Sequence, residues 1–129
     1  MIVEDENLQL TALARRLKSA GFDIVAARDG MTAISTARKE QPDLILLDLG
    51  LPAGDGFVVL ERLQMLLNTS TIPIIVVSSR DPKGNRDAVI RAGAIAYFQK
   101  PVEIEALLKA IHNALGLSPP APPLSKSEG

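Results

Sequence analysis

The sequence predicts a single α/β domain: a doubly wound, five-stranded parallel sheet in the order 2-1-3-4-5, with helices on both faces. Three observations point there. Short apolar, β-branched runs alternate with helix-patterned segments through five βα units. The runs are continuously apolar, as in strands covered on both faces. The 129 residues, 47% of them hydrophobic, are enough for one core.

The strand candidates are "MIV" (1–3), "DIVAA" (23–27), "DLILLD" (43–48), "IPIIVVSS" (72–79) and "AYFQ" (96–99). The first helix is expected over 7–20, with Leu8, Leu10, Leu13, Ala14 and Leu17 as its apolar stripe and Gly21 where a C-cap belongs. A second, 31–40, follows the turn pair "DG" and stops before "QPD". A third, 56–67, carries Phe57, Leu60, Leu63 and Leu67. The fourth, 84–92, has the weakest pattern and ends at Gly93. The last, 103–115, aligns Ile104, Leu107, Leu108, Ile111 and Leu115, with Glu103 and Glu105 suited to its first turn. From Ser118 the composition changes to "SPPAPPLSKSEG", so the expected organisation is a folded domain over 1–116 and a Pro/Ser-rich tail or linker over 117–129.

Composition removes several function classes. A formal net charge of -1, with scattered Lys and Arg, three Phe and one Tyr, offers neither a basic patch nor a stacking platform for nucleic acid. With no cysteine there is no disulfide framework or thiolate metal site. No segment approaches the roughly 18 apolar residues of a membrane span, and "MIVEDEN" lacks a basic leader-like start. A cytoplasmic domain without direct membrane or nucleic-acid contact is the expectation.

Ligands of parallel α/β sheets bind at the carboxyl ends of the strands, near the switch in strand order. Those ends here are Glu4 and Asp5, then Asp48, then Ser78, then Lys100 followed by Pro101. Three neighbouring carboxylates repel one another, and one lysine leaves an excess of negative charge. A hard divalent cation supplies the balance, and an all-oxygen donor set suits Mg²⁺ better than Zn²⁺. Beside a metal and an ammonium, an aspartate is a plausible nucleophile toward phosphorus, and the Ser78 hydroxyl could donate to a phosphoryl oxygen.

The motifs "VEDE", "LLDLGLPAGDG", "PIIVVSSR" and "GAIAYFQKP", in that order over residues 1 to 116, resemble the receiver domain of two-component response regulators. That resemblance implies the flavodoxin-like (βα)5 fold and a set of roles. Asp48 would be the phosphoacceptor. Asp5 would ligate Mg²⁺ directly, Glu4 would act through water, and the Gly50 backbone carbonyl would complete the protein ligands. Lys100 would contact the phosphoryl group, and Ser78 and Tyr97 would be the switch pair. A cis peptide before Pro101 is the family pattern. The partners implied are a histidine kinase or histidine phosphotransfer protein as donor, and an effector domain or protein reached through the surface of residues 84–115. Such a domain is a signalling phosphoacceptor that assists its own phosphorylation and dephosphorylation, not an enzyme acting on a separate substrate.

Some features depart from the family pattern. The first strand, "MIV", is short for a central strand, which predicts reduced stability. "GAIAY" lacks the acidic pair of regulators that dimerise through the last strand and helices, and Lys109 and His112 stand where that mode uses arginines. Gly50 and Arg80 flank the phosphoryl position: Gly50 leaves room for water and Arg80 could shield. His112, the only histidine, is expected at the surface or its boundary, not as a phosphodonor. Two rival classes remain. An aspartyl-phosphate phosphatase needs a second acid two residues past the first, where this chain has Gly50. A phosphorylation-independent interaction module would keep the acidic rim unused. The acidic turn "EDEN" disfavours a nucleotide cradle.

Overall fold

In the computed structural model, residues 1–51 and 55–117 are described. They form β1 (Ile2–Val3), α1 (Asn7–Ser19), β2 (Ala26–Ala27), α2 (Gly30–Glu40), β3 (Ile45–Leu47), α3 (Gly56–Met65), β4 (Ile74–Ser78), α4 (Pro82–Arg91), β5 (Ala96–Gln99) and α5 (Ile104–Leu115). All pairings are parallel, in the order β2-β1-β3-β4-β5. From residue 118 onward the expected tail lies outside the described residues, as do positions 52–54 of the "LPAGDG" turn.

Alternation along the central strands divides the core in two. Ile45, Leu47, Ile74 and Val76 pack with Ala33 and Ala37 of α2, Val59, Leu60 and Leu63 of α3 and Val89 of α4. Leu46, Ile75 and Val77 point the other way, toward Leu17 of α1 and Leu107 and Ile111 of α5. Period-two pleating thus gives the central strands β1, β3 and β4 two buried faces, which is why their runs carry no polar alternation.

Local chemistry sets the helix ends. Asp29, Asp55, Asp81 and Glu103 each accept a backbone N–H of the first turn that follows. Gly93 and Gly116 adopt positive φ (114° and 69°) after α4 and at the end of α5, where a side chain would be strained. Within α4, Lys83 and Gly84 leave helical geometry (Gly84 φ 82°), so regular helix follows the kink. That explains the weak pattern there.

Several expectations change. Leu8 and Leu67 are not core: they are 81% and 94% exposed. Leu8 lies in the first turn of α1 beyond the sheet, and α3 ends at Met65 because Leu66 turns to extended backbone. There the buried Thr69 hydroxyl donates to the Leu63 carbonyl (2.7 Å), a cap that no periodicity announces. His112 is not at the surface. It is 8% exposed, its ring is edge-to-face with Phe22, and its Nδ1 is 2.7 Å from the Leu108 carbonyl oxygen. The pattern of α5 places it on the flank of the stripe that faces the β2 side, so it closes a core edge. Finally, β2 is paired only at Ala26–Ala27, because β1 ends its pairing at Ile2 and leaves residues 23–25 without a full partner strand.

Candidate functional site

The sheet register brings the predicted residues to one rim. Val3 of β1 stands level with Leu47 of β3, and Leu47 with Val76 of β4. The next residues on β1 and β3 are therefore Glu4 and Asp48, side by side. On the other flank Ser78 pairs with Gln99, and the Lys100 N–H donates to the Ser78 carbonyl (2.8 Å). Four strands thus deliver Glu4, Asp5, Asp48, Ser78 and Lys100 to the carboxyl edge, as expected. The Lys100–Pro101 peptide is cis, also as expected.

Glu4, Asp5 and Asp48 each offer a carboxylate oxygen within 4.8 Å of the others. Glu4 and Asp48 are nearly buried, and Asp5 is half-buried. The Lys100 Nζ donates to Glu4 Oε1 (2.5 Å) and Asp48 Oδ2 (3.2 Å). With all four groups ionised, two negative charges remain. The donor set is all oxygen, partly desolvated and short of positive charge, so it fits a hard divalent cation. The other oxygens are held by backbone: Asp48 Oδ1 accepts the Gly50 N–H (3.0 Å) and Glu4 Oε2 accepts the Glu6 N–H (3.2 Å).

Burial pushes the Glu4 carboxyl above its ordinary value, against the opposing pull of its Lys100 bond. Burial alone would lower the Lys100 ammonium; the Glu4 bond and the Asp48 charge outweigh it and raise the group, so it stays cationic.

A second layer surrounds the acids. The Ser78 hydroxyl accepts the Arg80 N–H (3.2 Å), and the half-buried Tyr97 donates its hydroxyl to the Arg80 carbonyl (2.6 Å). Ser78 and Tyr97 therefore touch opposite ends of one short backbone segment. The Arg80 guanidinium donates to the Leu49 carbonyl (3.4 Å) and lies 3.6 Å from Asp55, the residue that caps α3. It thereby spans from the loop after β4 to the loop after β3. Gly56 is required for space: a Cβ there would overlap the Asp48 carbonyl oxygen and lie 2.6 Å from Leu49 Cα.

Sequence reasoning missed Gln9, whose Oε1 accepts from the Lys100 Nζ (2.5 Å). Its position four residues after Asp5, in the first turn of α1, was a usable signal, because that turn rises beside the rim. It also missed Arg28, which donates to the Asp5 carbonyl (3.0 Å) from the loop after β2 and has no motif of its own.

Residues 1–112 match the family model of the response regulator receiver domain. The chain is 34% identical over 115 residues to Protein PilH of Pseudomonas aeruginosa, covering 89% of this chain and 95% of that protein. It is similar to a putative response regulator from Chloroflexus aurantiacus J-10-fl (TM-score 0.84, 30% identity, 89% and 94% coverage). It is also similar to the receiver domain of a sensor histidine kinase from Pseudomonas aeruginosa PAO1 with magnesium coordinated in its active-site cleft (TM-score 0.82, 28% identity, 89% and 94% coverage). Strand order, acidic rim and family match agree, and the chain belongs to the response regulator receiver domain family.

Proposed function

We propose that Asp48 accepts a phosphoryl group from a histidine kinase or histidine phosphotransfer protein. The observation that carries this reading is the convergence of Glu4, Asp5, Asp48 and Lys100 on one partly desolvated rim. The P–N bond of the donor breaks, its electron pair returns to the imidazole, and an Asp48 carboxylate oxygen forms the new P–O bond. Asp5 and Asp48 would hold Mg²⁺ with the Gly50 carbonyl, and Glu4 would contribute through water. A bound Mg²⁺ supplies neutralisation of the phosphoryl oxygens during transfer.

The chain's own groups do the remainder. The Gly50 N–H fixes one Asp48 oxygen. Lys100, already bonded to Asp48, is placed to share its protons with an incoming phosphoryl oxygen. Ser78 would turn its hydroxyl to another such oxygen and so give up the Arg80 N–H. Because Tyr97 is bonded to the carbonyl of the same residue, moving that segment frees the ring to follow. The surface of residues 84–115 would change as a population shift between two packings, read by an effector.

Acetyl phosphate with and without Mg²⁺, on the parent and Asp48→Asn, tests the reading by intact mass. A Mg²⁺-dependent phosphoryl addition absent from Asp48→Asn is expected. If Mg²⁺ binds and neither acetyl phosphate nor a kinase modifies Asp48, a phosphorylation-independent interaction module replaces this proposal.

A further inference from the structure

An ammonium group has three protons to donate, and on Lys100 all three are already in use. They go to Glu4 Oε1 (2.5 Å), Asp48 Oδ2 (3.2 Å) and Gln9 Oε1 (2.5 Å). The first two bonds run inward, to side chains that are only 7% and 11% exposed. The third runs outward, to an exposed residue in the first turn of α1. Gln9 therefore covers the solvent side of Lys100. Chemistry fixes which end of its amide does so: an ammonium cannot accept a hydrogen bond, so the carbonyl oxygen faces it and the NH2 group faces away.

A phosphoryl oxygen arriving from solvent thus meets a lysine with no free proton. One of the three bonds has to break, and they are not equal. Breaking either carboxylate bond leaves a largely buried acid without its counterion. Gln9 is neutral and exposed, so water replaces its bond at small cost. It is also the partner on the side from which the group arrives. Gln9 is the acceptor that gives way.

We propose that Gln9 is a positioning residue for phosphoryl transfer: its side-chain carbonyl occupies the outward proton of Lys100 in the resting domain and is displaced there by the phosphoryl oxygen. The inference rests on Asp48 being the phosphoacceptor. No proton leaves the ammonium; only its acceptor changes. Gln9 acts through Lys100, so it sets the free-energy gap between the resting and phosphorylated domains and leaves the chemistry at phosphorus alone. The same exchange cuts a tie between α1 and the residue that follows β5.

The test compares the full chain with Gln9→Met, using acetyl phosphate and millimolar Mg²⁺; this donor is too small to read a docking surface. Met keeps the length and helix propensity of Gln at an exposed site and removes the acceptor, so Tm should not change. Modification of Asp48, followed by intact mass, is expected to run about threefold faster in the variant, because no bond has to be given up. In the parent, phosphorylation should move the NMR signal of the Gln9 side-chain carbonyl carbon to the position of a solvated glutamine. A Gln9→Met rate equal to or below that of the parent overturns the inference and leaves Asp48 as the acceptor. A Gln9 carbonyl signal unmoved by phosphorylation does the same. A parent that takes no phosphoryl group removes the acceptor reading itself, and this inference with it.

Discussion

The Lys100 ammonium is bonded more closely to Glu4 than to Asp48, at 2.5 Å against 3.2 Å. It therefore acts as the standing counterion of the whole acidic rim and does not belong to the proposed acceptor alone. One cation among three carboxylates balances them incompletely, so the fold carries its functional charge at a cost in stability.

Lys100→Met makes that cost measurable. Removing one partner of a largely buried ion pair leaves Glu4 and Asp48 facing each other uncompensated, a loss of about 3 kcal/mol. Thermal unfolding in EDTA should show a markedly lower Tm, and millimolar Mg²⁺ should recover more stability in the variant than in the parent. A variant as stable as the parent in EDTA would mean that the rim does not repel.

Asp48→Asn should move the other way. It removes one charge and keeps the shape, and the amide can still accept the Gly50 N–H. In EDTA we expect a gain of about 1 kcal/mol from relieved repulsion, together with a smaller stabilisation by Mg²⁺ than in the parent. Denaturant titrations with and without Mg²⁺ decide it.

Much of this was legible in the sequence because buried strands and strand-end acids are properties of consecutive residues. Asp48 is readable at the end of "LILLD" since nothing else explains a carboxylate there. What stayed hidden depends on where elements stop or lean. Leu67 fits the stripe of α3, yet the helix ends before it. His112 is polar by type and buried by the ring of Phe22, which is 90 residues away in sequence. Gln9 meets Lys100 across 91 residues of sequence, and only its place in the first turn of α1, four residues past Asp5, hinted at the rim.

Gly56→Ala tests backbone placement of the acceptor. The methyl would meet the Asp48 carbonyl and Leu49 Cα, which are main-chain atoms and cannot rotate away. The expected loss is about 3 kcal/mol or more, with altered amide shifts at Asp48 and Gly50 in NMR spectra. A near-neutral change would show that the loop after β3 can yield.

Arg80→Ala separates shielding from stability. The guanidinium and its Asp55 partner are each close to half exposed, so the pair contributes about 0.5 kcal/mol at most to folding. It also holds the two loops together over the proposed phosphoryl position through Leu49. After phosphorylation with acetyl phosphate and removal of the donor, hydrolysis should run about fivefold faster in the variant, the worth of roughly one hydrogen bond. An unchanged lifetime with unchanged Tm would place Arg80 outside the site's chemistry.

The Met1 amino group gives a pH dependence of definite sign. Its value falls from 8.0 to about 6 on folding, because burial penalises the ammonium more than the Asp43 charge favours it. Between those values the unfolded chain binds more protons than the folded one, so this group makes stability rise with pH across the window from 6 to 8. The gain is on the order of 2 kcal/mol, complete above pH 8 and absent below pH 6. Acetylating the amino group removes the titration and leaves the other groups in place. The difference in unfolding free energy between acetylated and free chains should therefore be large at pH 5.5 and shrink by pH 8.5. A difference independent of pH would mean that the Met1 ammonium is solvated and is not buried against the Leu44 carbonyl.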